Sequence, residues 1–184
     1  MKKNSIVLSI LLVLVLLAPT TLVRADTPAA TQNLSLVING SALLAIKNVG
    51  SISLTLSGAS EAGGAIQTSA SDSTTRLLIT NLVDDSITSR NVTAKISAVP
   101  TGSNLILSVL PPSTTFASGN YGTLLSGVVL TTANKSIITG IGTCWSGTSA
   151  DSGYMIKYTY QMIAGATTLA GAAVTVTYTL AAPV

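Results

Sequence analysis

Apolar and hydroxyl-bearing residues alternate along most of this chain. In Ser51-Ile52-Ser53-Leu54-Thr55-Leu56-Ser57 every second residue is aliphatic and the positions between carry hydroxyls. Successive side chains of a strand point to opposite faces, so this spacing predicts a strand with Ile52, Leu54 and Leu56 turned inward. Asn91 to Ser97 and Val174 to Leu180 read the same way. Between Tyr154 and Met162 one face carries Tyr154, Ile156, Tyr158, Tyr160 and Met162, and the other carries Met155, Lys157, Thr159 and Gln161. That tyrosine stripe is expected to form an internal face.

Further strands are expected over 34–38, 42–47, 76–81, 105–110, 124–131 and 136–141. Turn signals separate them: Asn39-Gly40, Asn48-Val49-Gly50, Pro100-Thr101-Gly102, Pro111-Pro112 and Ser118-Gly119-Asn120. Gly58–Ala65 is expected to be a loop. No stretch after residue 25 carries a 3.6-residue apolar stripe, and no repeat of fixed period is present. Many short strands with frequent turns predict an all-β domain, an antiparallel two-sheet β-sandwich of about nine to ten strands, Ig-like or pilin-like in architecture. A membrane barrel fits less well. Its strands are apolar on the lipid face and flanked by aromatic girdles, whereas the outward positions here are serine and threonine.

The first residues follow a different pattern. Lys2 and Lys3 precede an apolar run from Ile6 to Ala18, Pro19 breaks it, and Val23-Arg24-Ala25 ends it with small or short residues where a signal peptidase reads. This is the three-part plan of a secretory leader. The run is too short for a spanning helix, which needs about 20 residues. Residues 1–25 are therefore expected to be a cleaved signal peptide, cut between Ala25 and Asp26, with 26–184 forming one domain. On this reading the protein is secreted, extracellular or on the cell surface, with the periplasm as an alternative, and meets a membrane only during export.

Cleavage changes the charge balance. The whole chain has nine basic and six acidic residues. Lys2, Lys3 and Arg24 leave with the leader, so six bases (Lys47, Arg76, Arg90, Lys95, Lys135, Lys157) face six acids (Asp26, Glu61, Asp72, Asp84, Asp85, Asp151). Zero net charge without a basic cluster does not support nucleic-acid binding. The whole chain is only 8% charged against about 25% in typical soluble domains.

Catalytic chemistry is sparse. Without histidine there is no Ser-His-Asp triad, Cys-His pair or imidazole ligand. The residues three before Lys47, Lys95, Lys135 and Lys157 are Leu44, Val92, Thr132 and Tyr154, so no local Ser-x-x-Lys dyad exists. The adjacent Asp84 and Asp85 would point apart on a strand. A calcium site from Asp72, Asp84, Asp85 or Asp151 competes with a plainer role for these carboxylates in turns. The expectation is a non-enzymatic protein with no cofactor, no metal and no catalytic residue.

Two features suit binding. Trp145 lies in the long Gly/Ser/Thr-rich connection from Gly140 to Gly153, where Trp145 with Tyr154 or Tyr121 would stack on a sugar ring; a role for Trp145 in the core is the competing reading. For Cys144, the one cysteine, three readings stand open: a buried apolar thiol, an intermolecular bridge, or a modified thiol. Asn-x-Ser/Thr triplets occur at Asn33, Asn39, Asn91 and Asn134, and Asp85-Ser86-Ile87 matches a short bacterial O-glycosylation pattern.

The stretch from Val128 to Leu180, with Ile138-Thr139-Gly140-Ile141-Gly142-Thr143-Cys144-Trp145-Ser146-Gly147 and the closing Val174-Thr175-Val176-Thr177-Tyr178-Thr179-Leu180, resembles the C-terminal part of small exported β-sandwich proteins of Gram-negative bacteria. More loosely, the chain is similar to pilin-type and spore-coat-like secreted subunits. It departs from them in having one cysteine and no penultimate tyrosine. The resemblance implies an exported β-sandwich and carries no activity.

Together these observations predict a secreted structural or adhesion subunit that self-associates through strand edges or binds other surface proteins. The alternative is a carbohydrate-binding module built on Trp145 and nearby tyrosines. Intact-mass analysis of the exported chain is expected to give an N-terminus at Asp26; retention of residues 1–25 contradicts the leader.

Overall fold

The computed structural model describes residues 32, 34–47 and 50–183, and the expected leader with its expected cut between Ala25 and Asp26 lies outside them. Among the described residues there are eleven strands and no helix. They are β1 (Ser41–Lys47), β2 (Ser69–Leu82), β3 (Arg90–Ile96), β4 (Ser103–Leu110), β5 (Ser118–Gly119), β6 (Thr123–Leu124), β7 (Val128–Val129), β8 (Lys135–Ile141), β9 (Cys144–Trp145), β10 (Tyr154–Met162) and β11 (Val176–Ala181). All belong to the compact unit Val37–Val184.

The strands form two antiparallel sheets. The larger runs β5-β9-β2-β10-β4-β7, with β1 also paired to β2; the smaller runs β11-β3-β8-β6. Their apolar faces pack on each other through Leu77, Ile79, Val92, Leu107, Ile137, Ile138, Tyr154 and Ile156, all essentially inaccessible to water. On β4 burial alternates residue by residue, with Leu105, Leu107 and Val109 inside. A sheet with one apolar face must cover it, and the second sheet does so.

The expected alternation of Tyr154–Met162 is present: Tyr154, Ile156 and Tyr158 are buried, while Lys157 and Gln161 are exposed. Three other expected strands turn out differently. Residues 51–57 make no ladder; Leu54 and Leu56 are half-buried, Ile52 is more exposed, and Ser57 O accepts one hydrogen bond from Gln67 N. Residues 34–38 likewise form no strand. Alternation sets which side of an extended segment is apolar, but a ladder also needs a neighbouring edge. The expected strand over 124–131 is two short ones in different sheets. Between them Leu125 N donates to Ile137 O and Leu125 O accepts from Val109 N, so one residue is bonded to both sheets. Gly127, with a positive φ of 72°, and the Ser108 hydroxyl, which accepts from Gly127 N, turn the chain there.

A second crossing, between β8 and β9, is more deeply enclosed. The carbonyls of Ile141, the last residue of β8, and of Gly142 lie where the chain leaves the small sheet. Both accept from the side-chain amide of Asn81 on β2, at 3.2 and 3.0 Å, and Arg90 Nε donates to the same side chain's Oδ1 at 3.0 Å. Asn81 is 1% exposed. A buried polar group left without a partner costs its full desolvation, so the bonds Asn81 makes to Ile141 and Arg90 of the other sheet tie the two together. Replacing Asn81 with Ala removes these three hydrogen bonds. The loss is expected to be on the order of 1–3 kcal/mol for each, read from urea unfolding; an unchanged midpoint contradicts the assignment.

Candidate functional site

β9 is two residues long and lies between β2 and β5. Trp145 pairs with Thr80 and Ser118, and Cys144 with Asn81 and Gly119. Alternation sends neighbouring side chains to opposite faces, so Cys144 enters the core and Trp145, 52% exposed, faces out.

The expected binding residues therefore divide. Tyr121 and Tyr154 do meet, edge to face with ring centroids 6.3 Å apart, and the Tyr154 hydroxyl donates to Tyr121 O. Tyr154, however, is fully buried and has no ring face to offer a ligand. Tyr154 lies inside, Tyr121 is half-buried against the core, and Trp145 lies outside. Cys144 is a free, buried thiol, which leaves no route to an intermolecular disulfide without unfolding. Its burial raises the thiol pKa, countered in part by the Tyr154 hydroxyl.

Trp145 has a different aromatic companion. Phe116, 39% exposed, lines an outward cleft of about 290 Å³ with Thr80, Trp145, Gly147, Thr148 and Ser149. Local backbone geometry makes this cleft. Phe116 N donates to Ser113 O in a tight turn, and that turn sits directly against Gly147. A Cβ at residue 147 would stand 2.3 Å from Phe116 O, and its φ is +82°, so only glycine fits. Ser146 anchors the loop's start, its Oγ accepting from Ile79 N at 2.8 Å. Lys47, at the end of β1, donates through Nζ to the carbonyls of Thr148 and Ser149 and holds the far side. Sequence reasoning passed over both Phe116 and Lys47. The available signal was that Phe116 is the chain's one phenylalanine, set in a proline- and serine-rich connection.

A second concavity, of about 450 Å³, opens between the sheets. Ile46, Ile52, Leu105, Tyr158, Val176 and Tyr178 are among its lining, which includes no charged residue. The hydroxyls of Tyr158 on β10 and Tyr178 on β11 are 2.5 Å apart and link the two sheets across it. Burial raises the pKa of both phenols.

The carboxylates lie elsewhere. Asp72 Oδ1 accepts from the backbone and hydroxyl of Thr74. Asp84 Oδ1 accepts from the Ser86 hydroxyl and from the amides of Ser86 and Ile87, and these bonds, led by the hydroxyl, lower its pKa. Asp72 sits within β2 beside an irregularity in its pairing with β10, and Asp84 lies in the turn after β2. Neither concavity is lined by Asp or Glu, and among the described residues no three metal-ligating side chains converge.

Comparisons with protein families, curated proteins and solved structures found no match to this chain.

Cys144 is expected to resist a thiol reagent in the native protein and to react fully in concentrated guanidinium chloride. Native reactivity contradicts its burial. Burial also raises Tyr154 and Tyr178, so folding favours their neutral phenols. That stability is complete below the ordinary tyrosine pKa of about 10 and is lost as pH rises above it, where the unfolded chain ionises first. The urea midpoint is expected to fall in that range.

Proposed function

We propose that the protein is an exported, non-enzymatic structural subunit of the cell surface or extracellular matrix, pilin-like in architecture, which self-associates through strand edges. The observation that carries this reading is the exposure of the segment before β1: Leu34, Leu36, Val37 and Ile38 are 74, 88, 76 and 66% exposed. Leu34, Leu36 and Ile38 recur with period 2, the spacing of an apolar strand face. Beside it, β1 carries Leu43 65% exposed, and its only charge is Lys47 at the end. Charged side chains on edges normally keep sheets from pairing, and here they are scarce. An unpaired segment and a bare edge of the same chain are complementary in backbone hydrogen bonding and in side-chain character, so a second copy is the fitting partner.

Burying a leucine is worth about 1.5–3 kcal/mol, roughly tenfold or more in affinity. Sedimentation of the exported chain is expected to show concentration-dependent oligomers. Leu34→Asp with Leu36→Asp is expected to weaken them at least tenfold without altering the unfolding midpoint, since both side chains are exposed. A monomer at every concentration overturns the proposal.

A further inference from the structure

We propose that the outward cleft between Trp145 and Phe116 is a binding site for a neutral glycan. Two aromatic rings are exposed in one concavity, and the other side chains around them are the hydroxyls of Thr80, Thr148 and Ser149. A pyranose ring has the matching chemistry. Its C–H faces are apolar and lie against an aromatic face, while its rim of hydroxyls exchanges hydrogen bonds with protein hydroxyls. No charged residue lines the cleft. The ammonium of Lys47 is directed at the carbonyls of Thr148 and Ser149. No lining side chain offers an acidic sugar a cationic partner, which favours an uncharged one.

The cleft is also formed in advance. Trp145 is held in the ladder between β2 and β5. Phe116 is held by the close approach of its carbonyl to Gly147, and the 148–149 backbone by Lys47. Little ordering remains for the ligand to supply, which is the condition under which a shallow site binds usefully. Two features separate this site from the tyrosine cluster the sequence suggested: its second ring is Phe116, and it faces away from the core. None of its lining residues belongs to the 34–38 segment or to β1; β1 touches it only through Lys47, which holds the 148–149 backbone.

Trp145 is the one tryptophan of the chain, so its emission reports directly on the cleft. Titration of the exported protein with cellohexaose, chitohexaose, maltohexaose and mannohexaose at millimolar concentrations is expected to shift that emission saturably for at least one of them. Phe116→Ala, which keeps the reporter, is expected to weaken the binding at least tenfold. Trp145→Ala, followed by calorimetry, is expected to abolish it. Both rings are exposed, so neither variant is expected to move the thermal midpoint by more than a few degrees. An emission unmoved by all four sugars overturns the proposal, as does unchanged affinity in both variants. Binding of oligogalacturonate in place of the neutral sugars overturns the assignment of an uncharged ligand.

Discussion

Backbone that passes from one sheet to the other must leave its ladder, and the polar groups it frees have to be satisfied inside an apolar core. That requirement shapes this protein more than any other. Asn81 meets it at the β8–β9 crossing, where one amide serves two carbonyls and one carbonyl oxygen takes the Arg90 guanidinium. Leu125 meets it at the other crossing with its own backbone, bonded to Ile137 and Val109. Crossings satisfied in this way let two half-buried sheets close over Leu77, Ile79, Leu107 and Ile138, with no disulfide among the described residues.

The same crossing sets the surface chemistry. Once the chain enters the large sheet at Cys144, alternation alone decides that the thiol is buried and the indole exposed. Gly147 then admits the Phe116 turn, and a second ring arrives beside the first. The proposed glycan cleft is thus a by-product of how the strand enters the sheet. The edges follow a separate logic. A chain with few charges covers its sheet faces with serine and threonine, which hydrate well but repel nothing, and the segment before β1 keeps Leu34, Leu36 and Ile38 exposed.

Individual elements show what was legible. The Tyr154–Met162 strand and its inner face could be read directly, because nine residues of alternation leave little ambiguity. β4 and β8 were nearly as clear. β2 was half legible: residues 76–81 read as a strand, but Ser69 to Thr75 is rich in serine, threonine and aspartate and does not. That polar half is a strand because β10 offers it an edge, pairing from Tyr154 with Leu77 to Gln161 with Ser69 across a one-residue register shift between Ile156 and Tyr158. Residues 51–57 are the reverse case, with strong alternation and no ladder. At the candidate site, Trp145 was found from its loop, whereas Tyr154, one of the two tyrosines grouped with it, is buried, since proximity in sequence says nothing about which face a ring occupies.

Taken by itself, the order of residues determined that this chain folds as sheet and not as helix, which positions are apolar and where most turns fall. These are local matters, decided by side-chain period and by backbone preferences of glycine, proline and asparagine. The tertiary structure decided which extended segments find a partner, which sheet each joins, and whether a ring ends inside or out. Those outcomes depend on hydrogen-bonding edges and close approaches supplied by residues far away in the chain, as Gln161 supplies Ser69 and Gly147 admits Phe116.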